Sequence, residues 1–269
     1  MKNVTPEMTA LLDESRARVL EAIGDFSEVT VIRNWGNRGD DLIHAGVRCL
    51  FRQFPYREYD IRNLDQTAGG KTAVVTGGGA FCKPFHELPG LLPELERRFA
   101  RTVILPSSFD IQEPATREFL SRTQGIVFAR ETQSYEQIRQ LCDARLACDS
   151  AFYFNFDPYR TGFSGGTLNA FRCDREAVGG PIPKGNRDIS VECATMDEWL
   201  WAISRHDLIR TDRAHVIIAA AMLGKRVEFR PSNYHKVPAI VEYSRLPSDQ
   251  VQAITPDAPA RRWFSWRAH

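Results

Sequence analysis

An arginine and a histidine two residues apart, Arg213 and His215, stand where a short strand pattern meets a long apolar helix pattern. The segment Asp207 to Arg210 runs into Thr211 and Asp212, residue types whose side chains cap helix N-termini. Val216 to Leu223 is then almost wholly apolar before Gly224, a usual helix terminator. The pattern predicts a buried helix capped by Thr211 or Asp212. Arg213 and His215 then sit in its first turn, at the carboxyl end of a strand. Parallel α/β sheets bind ligands at that edge, and helix N-termini bind anions there. A guanidinium and a titratable imidazole so placed can hold an anionic substrate and move a proton on it. The same residues admit a purely structural account, in which Asp212 caps the helix, Arg213 pairs with it and His215 is a satisfied core residue.

The elements that must position this pair are legible on either side of it. After an amphipathic N-terminal helix, Glu28 to Arg33 reads as a strand rich in β-branched residues. It enters the loop Asn34-Trp35-Gly36-Asn37-Arg38-Gly39, and Asp40 to Phe51 follows with helical spacing at Leu42, Ile43, Val47 and Leu50. This strand, glycine-rich turn and helix lacks G-x-G-x-x-G spacing. Asp40 and Asp41 at the helix start would repel a phosphate, so sugar hydroxyls or simple capping suit them better. Further strands are expected at Thr72 to Thr76, ending in Gly77-Gly78-Gly79; at Arg101 to Leu105, before Pro106-Ser107-Ser108; and at Gly125 to Ala129, before Arg130. Ser134 to Leu141 is a helix candidate, and Arg145 to Cys148 is a short fifth strand leading to Asp149. Residues 157–164 have the composition of a linker. A second α/β unit takes in Thr167 to Arg172, a helix at Met196 to Ser204, the Arg213 helix and a strand at Arg226 to Phe229, followed by the loop that carries Lys236. Strands alternating with helices, each strand ending in small or polar residues, argue for parallel sheets with a ligand-binding edge.

With 269 residues, 43% of them hydrophobic and 26% charged, the chain has material for one large or two modest globular domains. A formal net charge of +1 argues against a dedicated nucleic-acid binder. Six scattered cysteines without C-x-x-C spacing fit free thiols in a reducing compartment, and neither a signal peptide nor a membrane span is expected. The expected location is therefore cytoplasmic. His44, His86, His206 and His235 show no ligand spacing and are read as structural. The tail Arg261 to Arg267 is basic and aromatic, suited to packing on the N-terminal domain or to a membrane interface.

Several segments, taken in order, resemble the polysaccharide pyruvyl transferase family: NWGNRGDDLIHAG, VVTGGGAF, LPSS, FARETQS, CDSAF, AFRCDRE, LIRTDRAHVIIAAAMLGKRVEF and NYHK. They span roughly residues 30 to 240. The resemblance implies two Rossmann-like domains facing a central cleft, GT-B-like, here assigned to residues 1–158 and 165–245 with a tail at 246–269. It implies transfer of the pyruvyl group of phosphoenolpyruvate to a saccharide as a ketal, with phosphoenolpyruvate as donor substrate and no metal or other cofactor. Arg213 matches the family's substrate-binding arginine, and Arg130 is the second clamp from the facing domain. Lys236 and Ser107 join them as donor-binding candidates; a solvated loop lysine stands level with phosphate binding for the first, and a helix cap is the simpler account of the second. His215 matches the proposed general acid, which protonates the donor's methylene carbon so that a sugar hydroxyl attacks, phosphate leaves and a second hydroxyl closes the ketal. A helix N-terminus disfavours a charged imidazole, whereas a bound dianion favours it. Asn34, Gly39, Asp40, Gly78 and Gly79 are placed at the acceptor or the cleft floor. Arg172 falls where the family often carries paired basic residues, but Cys173 occupies the second place. The expected partners are phosphoenolpyruvate and a free, polymeric or lipid-linked saccharide, with no nucleic acid and with the inner face of the cell membrane as an alternative location. A nucleotide-sugar glycosyltransferase and a silent scaffold in polysaccharide assembly remain the competing readings, because one fold serves many functions.

Overall fold

The computed structural model describes residues 4–67, 69–84, 87–177, 181–231 and 234–254. The basic aromatic tail and His86 lie outside the described residues. The chain opens on helix α1 (Pro6–Ile23), whose Thr5 hydroxyl accepts from Met8 N and whose end is set by Gly24 at a φ of 70°. A first sheet then takes in β1 (Val29–Arg33), β2 (Arg57–Asp60), β3 (Gly70–Val75), β4 (Gly78–Phe81), β5 (Phe99–Phe109), β6 (Ile126–Ala129) and β7 (Asp143–Leu146). Its helices are α2 (Arg38–Leu50), α3 (Leu88–Arg98), α4 (Pro114–Arg122) and α5 (Thr132–Ile138). A second sheet takes in β8 (Thr167–Ala170), β9 (Leu208–Thr211), β10 (Arg226–Phe229) and β11 (Val251–Ala253), with helices α6 (Ile189–Glu192), α7 (Met196–Ser204), α8 (Ala214–Met222) and α9 (Lys236–Tyr243).

The order of the first sheet is β2-β1-β3-β5-β6-β7, with β4 added against the far half of β5; the second runs β11-β10-β9-β8. Every pairing in both is parallel. Parallel strands need covered faces, and the period-two alternation of side chains supplies two of them. Val31, Val74, Val103, Leu105, Ile126 and Phe128 enter one apolar cluster with α1 and α2. Their neighbours Ile32, Ala73, Val75, Ile104, Val127 and Ala129 enter another, beneath α3, α4 and α5. The first cluster continues through α8 into the second sheet, at Leu168, Ile209, Val227 and Phe229. Strand order in the first sheet reverses between β1 and β3. In open parallel sheets the crevice outside such a reversal is where ligands bind.

The expected strand and helix alternation is present, and α7 has the expected ends. Three local expectations are corrected. The strand expected to stop at Leu105 continues through Pro106 to Phe109, because β4 and β6 both pair with that half after a register shift. The fifth strand lies at Asp143–Leu146 rather than Arg145 to Cys148. Neither Thr211 nor Asp212 caps α8: the N-cap is Arg213, with no side-chain cap bond. The Thr211 hydroxyl donates instead to Ala170 O across the sheet (2.8 Å) and accepts from Arg213 N (3.1 Å), while Asp212 Oδ1 accepts from Arg172 N (2.9 Å).

Candidate active site

Both sheets turn their carboxyl ends toward one cavity of about 480 Å³. In the first sheet, β1 ends before Asn34, whose N–H donates to Thr76 Oγ1 (3.0 Å) and whose amide reaches Gly77 O (3.4 Å), tying the loops after β1 and β3 together. Asn37 caps α2 in a reciprocal arrangement with Asp40, whose Oδ2 accepts from Asn37 N at 2.8 Å. Burial raises the Asp40 carboxyl above its ordinary value, with His215, the Asn37 N–H, Arg130 and Lys236 pulling the other way. Gly39, in the first turn of α2, faces α8 so closely that a Cβ there would lie 2.6 Å from His215 Nδ1. The glycine is what lets the imidazole sit against the helix.

Arg130 leaves the end of β6 with its backbone N–H still bonded to Ser107 O (3.0 Å). The residue is 1% exposed, and its guanidinium donates from Nε to Ser108 Oγ (2.8 Å) and from one terminal nitrogen to Asp149 Oδ2 (2.8 Å). Asp149 follows β7 as Arg130 follows β6. Ala147 N–H donates to Ala129 O (3.0 Å), so adjacent strands deliver the arginine and the carboxylate side by side. Asp149 Oδ1 accepts from Ala151 N (2.9 Å), and Oδ2 also lies 3.4 Å from His215 Nε2. Burial alone would raise the Asp149 carboxyl; the imidazole, Arg130 and the Ala151 N–H outweigh it and hold it well below the usual carboxylate range.

In the second sheet Ala170 of β8 pairs with Thr211 of β9, so Arg172 and Arg213, each two residues further on, emerge as neighbours. Both are 5% exposed. Arg172 grips Asp174 with Nε (2.8 Å) and a terminal nitrogen (3.1 Å) and pairs with Glu176. Arg213 donates to Asp174 Oδ2 (2.9 Å) and Asp188 Oδ2 (2.5 Å), and its Nε is buried without a partner. Lys236, the first residue of α9, completes the row on Glu176 Oε1 (2.6 Å). The result is an alternating chain, Lys236–Glu176–Arg172–Asp174–Arg213–Asp188. Burial opposes ionisation of Asp174, but Arg172 and Arg213 prevail and bring it down to about 2.

Among the residues expected from the sequence, Asn34, Gly39, Asp40, Gly79, Arg130, Arg213, His215 and Lys236 all line this cavity. Gly78 lies behind the lining at a φ of 133°. Ser107 is not brought to the cavity, nor does it cap a helix. It is fully buried within β5 with its hydroxyl donating to Leu105 O (2.9 Å). Lys236 is 7% exposed, not a solvated loop lysine. Arg213 pairs with Asp174 and Asp188, not with Asp212. His215, the single residue of α8 outside its buried set, faces the cavity between the two sheets. Sequence reasoning missed Asp149, Asp174, Glu176 and Asp188. A carboxylate just beyond a short strand pattern was the available signal for Asp149. Among the described residues, no group of three or more His, Cys, Asp or Glu side chains is disposed to hold a metal ion, and no helix is long and apolar enough to cross a membrane.

Two comparisons with known proteins bear on this arrangement. Residues 37–227 match the family described as polysaccharide pyruvyl transferase. Among solved structures, an uncharacterised protein from Klebsiella pneumoniae superposes with a TM-score of 0.70 at 22% identity, covering 91% of this chain and 98% of that one. At that identity the likeness speaks to the α/β fold of parallel sheets and helices. No curated protein matches the chain significantly.

Proposed function

The chain belongs to the polysaccharide pyruvyl transferase family, and from that membership we propose that it moves the pyruvyl group of phosphoenolpyruvate onto two hydroxyls of a saccharide, releasing phosphate and leaving a pyruvate ketal. The two sheets act as facing Rossmann-like domains in the GT-B manner, donor and acceptor meeting between their carboxyl edges. The observation that carries the reading is a convergence at Gly79. Its Cβ position lies 3.9 Å from a terminal nitrogen of Arg130, from the first sheet, and 3.8 Å from Lys236 Nζ, from the second. His215 Nε2 is 3.4 Å from the other Arg130 nitrogen. A compact donor bearing a phosphate and a carboxylate finds cations on both sides and a proton source between them.

In this reading the anionic donor lies between Arg130 and Lys236, with Arg213 reaching its far side. Charged His215 gives its proton to the methylene carbon, which becomes a methyl group. The adjacent carbon turns oxocarbenium-like and takes up a sugar hydroxyl. The carbon–oxygen bond to phosphate then breaks, and the second hydroxyl closes the ketal. Of the two hydroxyl protons displaced, one restores His215 and the other leaves with phosphate. Asp40, whose carboxyl is raised by burial, stands where an acceptor hydroxyl would shed its proton. Trp35, Asn34 and Glu87 on the same wall offer an apolar face and hydrogen-bonding edges to a sugar ring. The acceptor is a precursor of an exopolysaccharide or cell-surface glycan, free or lipid-linked. The reaction belongs in the cytoplasm, where this donor and reduced thiols occur together.

Calorimetric titration with phosphoenolpyruvate, beside UDP-sugars and inorganic phosphate, tests the donor. Selective binding of phosphoenolpyruvate, weakened at least tenfold in Arg213→Met, is expected, as removal of a charge-assisted contact costs about 1.5–3 kcal/mol. His215→Asn should retain donor affinity within a few-fold and lose about 10²–10⁴-fold in phosphate release with acceptor present. Preference for a UDP-sugar, or normal turnover in His215→Asn, would sink the reading.

A further inference from the structure

Beyond the residues that would touch the donor, the buried carboxylate of Asp149 is left without an assigned task. It is fully buried, where an unpaired charge costs several kcal/mol, so its partners define what it does. Oδ1 is committed to Ala151 N–H, which fixes the carboxylate plane. Oδ2 is shared between Arg130, from the end of β6 at 2.8 Å, and His215 Nε2, from the first turn of α8 at 3.4 Å. One oxygen thus joins the anion-binding arginine of one sheet to the imidazole of the other. The ring's opposite nitrogen, Nδ1, is backed by Gly39, where even a methyl group would not fit. The charged groups around the ring are Asp149, Arg130 and Asp40, with Lys236 beyond Asp40.

We propose that Asp149 is the positioning residue of the site: its Oδ2 accepts the Nε2 proton of His215, which fixes the ring beside Arg130, and its charge stabilises the imidazolium that serves as the proton source. The chemistry follows from the geometry. A helix N-terminus and a neighbouring guanidinium both oppose a charged imidazole. A buried carboxylate on the same nitrogen reverses the balance, and it also selects the tautomer, because the nitrogen facing a carboxylate must carry hydrogen. Asp149 anchors Arg130 with the same oxygen, so donor clamp and proton source keep a fixed spacing.

The inference rests on His215 being the proton donor, but its primary test needs neither donor nor acceptor. Histidine-labelled protein is titrated by NMR, following the His215 ring in wild type and in Asp149→Asn. In its neutral form the wild-type ring is expected to be the Nε2–H tautomer, and its pKa to fall by about one unit or more in Asp149→Asn. Asp149→Glu, which keeps the charge, should restore the pKa to within about half a unit. In turnover, Asp149→Asn should lower kcat more than it raises KM and move the pH profile of kcat down by the same shift. An Nδ1–H tautomer in wild type, an unmoved pKa in Asp149→Asn, or an equal fall in Asp149→Glu would overturn the proposal. If Asp149→Asn does not fold, the wild-type tautomer and the Asp149→Glu titration still decide it. Failure of phosphoenolpyruvate to bind wild type would count against the proposed reaction and leave the coupling of Asp149 to His215 standing on these NMR results.

Discussion

The two edges of the cavity hold their cations in different ways. On the first sheet Arg130 rests on one carboxylate and one hydroxyl, Asp149 and Ser108, both behind it, and a terminal nitrogen is left toward Gly79. On the second sheet Lys236, Arg172 and Arg213 are each paired with carboxylates that line the cavity or adjoin it. The first edge therefore holds a cationic nitrogen in place without a carboxylate on its cavity side, and the second is neutralised by its own chain. An anion reaching the second edge must compete with Asp174 and Glu176, whereas at Arg130 it meets a terminal nitrogen that no carboxylate among the described residues holds by a hydrogen bond. Preorganised charge contributes to binding and catalysis because no rearrangement is needed when the ligand arrives.

The sharpest way to break this comparison is to remove one cation from each edge and measure stability. Arg130→Met leaves Asp149 buried with only the imidazole and an N–H, and the loss should be about 3–5 kcal/mol in urea unfolding at neutral pH. Lys236→Met leaves Glu176 still paired with Arg172, so the loss should be about half as large. Equal losses would mean that the alternating chain is as dependent on each member as the single pair, and the distinction between the edges would fall.

Acid separates the two regions by a different route. His44, on α2 of the first region, is buried beside Arg33 and Arg48. Burial first, and those arginines second, push its imidazole down to about 4. The unfolded chain binds that proton near the ordinary value of about 6.5, and the folded protein refuses it until about 4. Stability from this group is complete above the unfolded value and is lost as pH falls through the window, to a total of about 3 kcal/mol. Asp174, on the second edge, is depressed to about 2, so its contribution persists until pH falls below the unfolded carboxylate value of 3.8. Unfolding curves measured from pH 7 to pH 4 should thus decline through His44, and His44→Gln should flatten most of that slope. An unchanged slope would assign the acid sensitivity elsewhere.

What the sequence disclosed and what it hid divide along the same line. Parallel α/β architecture was legible because β-branched runs and amphipathic spacing are local, as in Val29–Arg33 and Met196–Ser204. Arg213 and His215 were legible because the helix after them is apolar all round, which marks it as central. The capping of α8 was misread because Thr211 and Asp212 spend their side chains on Ala170 O and Arg172 N, partners some forty residues away. β2, with the sequence Arg57-Glu58-Tyr59-Asp60, carries no apolar alternation because it is a half-exposed edge strand. Ser107 looked like a ligand because it follows a proline after an expected strand end, yet that strand continues past it. The alternating ion chain was unreadable for a deeper reason. Composition gives the charges, but only the register that sets Ala170 beside Thr211 decides which arginine meets which carboxylate.

The smallest expected effect probes that ion chain most directly. Asp174 lies between Arg172 and Arg213 at the cavity wall, a quarter of its side chain still exposed. Asp174→Asn keeps an acceptor for the Arg172 fork but removes one negative charge from the place an anionic donor would approach. If the second edge is self-neutralised, phosphoenolpyruvate and inorganic phosphate should both bind more tightly, by a factor of about 3–10 at low salt. The gain should shrink as ionic strength rises, since part of it is a through-solvent attraction. Weaker binding would mean the reverse: that Asp174 holds Arg172 and Arg213 in the geometry an anion requires, and costs less by competing than it contributes by orienting. The second edge would then be preorganised like the first, its carboxylates playing for Arg213 the part that Asp149 plays for Arg130.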